Sequence, residues 1–164
     1  MAKRIALCGV LTSCALIFAY VEYLIPISIG VPGIKLGLAN IVVIVALYRL
    51  GLAYAFAINV VRIVIASLLF TGALGMMFGL TGGILSLALM AALKKTDAFS
   101  VTGISAAGGA VHNLGQLAVA AALIESFAVV FYLPILLVSG VLTGLAVGLA
   151  ATVVIQRIPG TAQD

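Results

Sequence analysis

Charge is what this sequence has least of. Eight Lys and Arg and four Asp and Glu make up 7% of the 164 residues, against 65% hydrophobic ones, and the mean hydropathy is +1.41. A water-soluble domain of this size has a large surface relative to its volume, and so few charges do not cover it. Lipid is therefore the solvent for most of the chain. Tryptophan is absent and His occurs once. The net charge is +4, yet no basic tract is longer than Lys94-Lys95, which argues against a nucleic-acid partner because phosphate tracking needs a continuous basic face.

The same shortages bear on chemistry. One His, two Cys and four acids do not supply a metal cluster. No Gly-rich phosphate loop ending in Lys and Ser or Thr is present, so ATP is not bound in that manner. A Ser-His-Asp arrangement fails, because Asp97 and Asp164 lie in a connection and a tail on the basic side while His112 is deep in an apolar segment. Magnesium-dependent diphosphate chemistry needs paired acidic clusters, and neither aspartate has an acidic neighbour. Cys8 and Cys14 would fall on different faces of one helix, which excludes a disulfide between them and leaves packing. The chain reads as a non-enzyme without metal or cofactor.

What the chain has is long apolar runs. A spanning helix takes about 20 residues and a tight connection about 5, so the length holds roughly six spans as one transmembrane domain over residues 1–164. The N-terminus imitates an export signal, with Lys3-Arg4 before an apolar run, and Leu11-Thr12-Ser13-Cys14 resembles a lipoprotein cleavage box. The segment stays apolar through Ile25, so it reads as an uncleaved first span from Arg4 to Leu24. Pro26 and Gly30-Val31-Pro32-Gly33 end it. The further apolar runs are Ile34–Tyr48, short for a crossing; Leu52–Phe70, closed by Thr71-Gly72; Met76–Leu93; Val101–Ile124; and Phe127–Ile155, which Pro134 divides into an entry segment and a final span. With six crossings, Lys3, Arg4, Arg49, Lys94, Lys95 and Arg157 share one side and Lys35 lies near the other, which predicts a cell-membrane protein with both termini cytoplasmic.

Glycine recurs every fourth residue at Gly75, Gly79 and Gly83 and again at Gly140, Gly144 and Gly148, a pattern that lets helix backbones approach closely within the bundle. Ala2, Ala6, Gly9 and Ser13 on the first span form a better face for an external partner. Polar groups inside hydrocarbon are costly. Arg62 falls about 15 Å into its span, near the midplane, with Asn59 one turn before it. His112, Asn113 and Gln116 are similarly deep in the fifth span, and Asn40 enters from the second. Glu22, Lys35 and Glu125 sit near the outer boundary, so these residues outline a polar pocket from mid-bilayer outward, and whether Arg62 pairs with Glu22 is left open. Arg62 and Lys35 favour an anionic group on a ligand, and the amides set its orientation.

Pro32-Gly-Ile-Lys-Leu-Gly-Leu-Ala-Asn40, Arg62 with Ser67-Leu-Leu-Phe70, Val111-His-Asn-Leu-Gly-Gln116, and Tyr132-Leu-Pro134 with Ser139-Gly140 resemble the membrane family labelled heptaprenyl diphosphate synthase component I, also called the Gx transporter family. The resemblance covers nearly the whole chain. That family in turn resembles the substrate-binding components of energy-coupling-factor transporters, which are all-α six-helix bundles. The resemblance implies a small molecule held beneath the loop between helices one and two, here Pro26 to Gly33, with Lys35 and Asn40 under it and Arg62, His112, Asn113 and Gln116 as the floor. It also implies separate scaffold and ATPase subunits, and a ligand that is vitamin-like or related to quinones or isoprenoids. Two other classes compete with this reading: a non-catalytic membrane accessory of a prenyl synthase, and a structural membrane subunit of a quinone- or flavin-linked electron-transfer assembly.

Overall fold

A computed structural model describes residues 2–25, 36–124 and 127–158, with the side chains of Lys3, Phe127 and Ala128 left aside. The described residues are helical almost throughout, and six α-helices follow one another: α1 (Ala2–Leu24), α2 (Leu38–Arg49), α3 (Leu52–Ala66), α4 (Gly72–Lys94), α5 (Val101–Ile124) and α6 (Leu133–Arg157). A π-helical turn over Ser67–Thr71 joins α3 to α4, and a 3-10 helix over Phe127–Tyr132 leads into α6. Pro134 lies in the first turn of α6, where its missing N–H costs no helical bond, and so it marks the entry point expected from the sequence.

Among the described residues, four helical runs are long and apolar enough to cross a membrane. One of them, Leu52–Lys94, is 43 residues long and would extend about 65 Å if straight, roughly twice the thickness of a hydrocarbon core. It is not straight. Gly72 takes φ +68°, a left-handed value that favours glycine, and the chain folds back on itself there. Asn59 of α3 then lies against Gly83 of α4, and Ile63 against Gly79 and Gly83, so the two halves run antiparallel. The turn falls where Thr71-Gly72 was expected to end the third span, although α4 starts at Gly72 rather than Met76.

The outer surface is built for lipid. Leu68, Leu69, Ile17, Val138 and Phe131 are all exposed, Phe131 at 88% of its full area, while Asn59, Arg62, Ser86, Ser105, Asn113 and Gln116 are buried. This inside-out distribution is what hydrocarbon solvent dictates. α2 is the exception that proves informative: its 12 residues rise only about 18 Å, and every residue from Val42 to Leu47 is buried. A helix apolar all round and too short to cross belongs inside protein. α1, α3 and α6 pack against it, and its core cluster extends to Leu87 and Met90 of α4 and Ile104 of α5.

The glycine stripes face inward. A Cβ at Gly109 would lie 2.1 Å from the Gly140 carbonyl oxygen, and one at Gly144 would lie 2.6 Å from the Ser105 carbonyl oxygen, so α5 and α6 meet backbone to backbone. Gly82 and Gly115 make the same kind of contact between α4 and α5. Of the first stripe, Gly79 and Gly83 pack on α3, whereas Gly75 abuts only Thr71 in the preceding turn.

At one end of the bundle Arg49 Nη2 donates to the Ile155 carbonyl, and Lys94 Nζ donates to the Leu47 carbonyl at 2.8 Å while lying 4.7 Å from the Tyr48 ring centroid. The C-terminal ends of α2, α4 and α6 therefore converge, and their carbonyl groups receive the cations that suit them. At the opposite end Tyr20 and Tyr23 of α1 pack on Phe70 at 5.6 and 5.0 Å. Arg49, Lys94 and Arg157 thus gather at one end.

Replacing Gly109 by Ala is expected to destabilise the bundle by about 1–3 kcal/mol, because backbone must move to admit the methyl. Gly9→Ala, with nothing within 4 Å of the new Cβ, should leave stability level or raise it slightly. Thermal unfolding of both variants in the same detergent checks the ordering.

Candidate functional site

Arg62 projects from α3 into the interior and is only 9% exposed. Its Nη2 donates to Asn40 Oδ1 at 2.6 Å and to Asn59 Oδ1 at 2.8 Å, and its Nε donates to Asn59 Oδ1 at 3.2 Å. Asn59 is fully committed, since its Nδ2 donates to the Gly83 carbonyl at 3.0 Å. The spacing explains the local part: Asn59 and Arg62 are three apart on one helix and share a face. The rest is tertiary, because Asn40 belongs to α2 and Gly83 to α4. One cation thereby ties three helices together through neutral oxygens.

Glu22 answers the open pairing question. Its Oε1 accepts the Gly37 N–H at 2.5 Å, while the hydrogen bonds of Arg62 go to the two asparagines. Gly37 precedes α2 with φ +75°, and α2 has no side-chain cap of its own.

The polar residues of α5 divide between two neighbours instead of forming one floor. His112 and Gln116 face α4, with their Nε2 atoms 3.2 Å apart, so that the Gln116 amide donates to an unprotonated His112 Nε2. The His112 ring lies against Gly82. Gln116 Oε1 is buried without a hydrogen-bond partner. Asn113 turns the other way and donates to the Leu136 carbonyl at 2.7 Å and to Ser139 Oγ at 3.3 Å, joining α5 to α6. Successive helical residues are rotated by about 100°, which carries Asn113 away from the face shared by His112 and Gln116. Lys35, Glu125 and the segment from Pro26 to Gly33 lie outside the described residues.

A small cavity of about 20 Å³ lies between α2, α4, α5 and α6. Asn40, Ser86, Ser105 and Thr143 supply its polar wall, and Gly37, near one end, separates it from the Glu22 carboxylate. Ser105 Oγ donates to the Gly144 carbonyl at 2.6 Å and Thr143 Oγ1 to the Ser139 carbonyl at 2.9 Å. The three hydroxyls escaped sequence reasoning because hydroxyl residues in apolar helices commonly bond their own backbone. The one available signal was the position of Ser105 opposite the Gly144 stripe. On α1, Ala2, Ala6, Gly9 and Ser13 are all exposed, whereas Leu11 and Ala15 turn inward.

The Asn59 amide is expected to be the costliest of these groups to remove. Asn59→Leu leaves the buried guanidinium short of acceptors and should destabilise by about 2–3 kcal/mol, and pairing it with Arg62→Met should recover most of that loss. Unfolding of the two single variants and the double variant in detergent, analysed as a cycle, measures the coupling.

Comparison with known proteins gives one family. The family model described as heptaprenyl diphosphate synthase component I matches residues 11–154, most of the chain and all six helices at least in part. No curated protein and no solved structure matches.

Proposed function

The chain belongs to the heptaprenyl diphosphate synthase component I family, and from that membership we propose that it is a membrane-embedded, non-catalytic subunit that binds a small vitamin-like, quinone- or isoprenoid-related molecule for separate scaffold and ATPase subunits. The observation that carries this reading is the Arg62 cluster. A charged side chain at mid-bilayer costs at least about 3 kcal/mol, and the hydrogen bond of Arg62 to Asn40 connects it to the wall of the polar cavity. A buried guanidinium beside a polar cavity is better accounted for as binding equipment than as packing.

Cavity size sets a condition on the reading. Pockets for small molecules run to about 300 Å³ or more, against about 20 Å³ here. A ligand larger than water therefore enters this cavity only when the outer end of α2 moves away from α6, where a Cβ on Gly37 would meet Val147. Transport needs an energy source, and this reading assigns it to an ATPase subunit, since residues 1–164 hold no phosphate-binding loop. The exposed Ala2, Ala6, Gly9 and Ser13 face is the docking strip for the scaffold, and the end carrying Arg49, Lys94 and Arg157 faces the cytoplasm, together with both termini.

The family's description favours a second reading, in which the chain supports a soluble prenyl synthase as its membrane accessory. In that case the chain co-purifies with a prenyl synthase and raises its turnover.

The test of the transport reading is mass spectrometry of small molecules that co-purify with the protein. A single species should be present with the wild type and reduced at least about tenfold with Arg62→Ala. His112→Ala, whose ring lies across α4 from that cluster, should weaken binding less. Retention of the species by both variants removes the Arg62 site from the account.

A further inference from the structure

The cavity between α2, α4, α5 and α6 has hydrogen-bonding groups that do not satisfy one another. Ser105 and Thr143 each spend their hydroxyl proton on a carbonyl, at Gly144 and Ser139, so both oxygens keep lone pairs that can accept. Asn40 is set differently. Arg62 can only donate, so its bond holds Asn40 Oδ1 on the Arg62 side. The Nδ2 end is left near Gly37, 3.5 Å from where a Cβ on that glycine would stand, and both residues line the cavity. Ser86 of α4 lines it too and is only 4% exposed. Among the described residues, no hydrogen bond is donated by Asn40 Nδ2 or by Ser86 Oγ. Buried donors without acceptors are costly, and such groups normally find a partner in protein or in ordered water. The space beside them, about 20 Å³, exceeds the roughly 10–15 Å³ that one water needs. Its wall carries no charged side chain, since Arg62 stands behind Asn40.

We propose that this cavity is a binding site for one uncharged oxygen atom. In the protein without ligand that oxygen is a water molecule. Resting on the ligand-binding reading above, it is replaced by a carbonyl or hydroxyl oxygen at the head of the bound molecule when the outer end of α2 moves. The oxygen accepts from Asn40 Nδ2 and Ser86 Oγ, and water or a hydroxyl also donates to Ser105 or Thr143. An anion would find no cation in the wall to balance it, and a cation would face the N–H end of Asn40. A neutral oxygen satisfies both donors without leaving a charge in a low-dielectric interior. Arg62 acts on this site through Asn40, by holding the amide so that its donor end faces the cavity.

A crystal structure of the full chain, grown from lipid and at a resolution that shows ordered water, tests the site with water itself as the probe. An oxygen-sized peak should lie within about 3 Å of Asn40 Nδ2 and Ser86 Oγ. A separate peak is water, and one continuous with a longer molecule is that molecule's head. An empty cavity, or a halide or metal ion in it, overturns the proposal. Two variants then test the head group by mass spectrometry of co-purifying molecules. Ser86→Ala removes one donor and little bulk, and should lower the retained species about fivefold. Asn40→Asp turns the cavity-facing donor into an acceptor while still offering Arg62 an oxygen, and should lower a carbonyl-bearing species about tenfold or more. Loss from both variants assigns a carbonyl head. Loss from Ser86→Ala alone assigns a hydroxyl, which can turn and donate to the new carboxylate. Retention by Ser86→Ala at the wild-type level overturns the head-group assignment, and that variant also decides if Asn40→Asp does not fold. If nothing co-purifies with the wild type, the ligand-binding reading falls and the water peak alone decides the site.

Discussion

The short helix α2 and its neighbours α3 and α4 are arranged around one demand, that a guanidinium buried among helices must have its hydrogen bonds supplied by the chain. Arg62 obtains them from two asparagine oxygens, and one of those asparagines is itself anchored to a carbonyl of α4. Taking Asn40 from α2 fixes where that short helix sits, and α2 in turn fills the centre against which α1, α3 and α6 pack. In hydrocarbon there is no solvent to complete an imperfect arrangement, so satisfaction of one side chain and placement of three helices become the same condition.

The glycines solve the complementary problem. Lipid tails are as apolar as leucine, so helices gain little by hiding apolar side chains from them, and association rests on close contact. Backbone-to-backbone approach at Gly109 and Gly140, and at Gly82 and Gly115, provides it. The consequence is that these helix pairs leave no room between their backbones at those glycines, and the cavity lined by Asn40, Ser86, Ser105 and Thr143 is water-sized.

Much of the fold was legible because composition and periodicity report directly on solvent. The apolar runs, the stop at Thr71-Gly72, the entry at Pro134 and the gathering of Arg49, Lys94 and Arg157 at one end all follow from local residue chemistry. The pairing of Asn59 with Arg62 was equally local, three residues apart on a helix. The candidate site was legible only as an inventory. His112, Asn113 and Gln116 read as one group along the chain, yet they serve different neighbours, because helix rotation assigns a face and only packing assigns what that face meets.

The sequence by itself determined that lipid is the solvent, that helices are the only element available, and that a few deep polar residues need partners, since each of these depends on the chemistry of residues near one another in the chain. Only the tertiary structure decided which partners they have. Arg62 takes amide oxygens of α2 and α3, and Glu22 caps a helix that does not contain it. The physical reason is that which acceptor a side chain reaches depends on ångström-scale differences in how three helices dock, and those differences arise from the sum of many close contacts rather than from any segment of sequence.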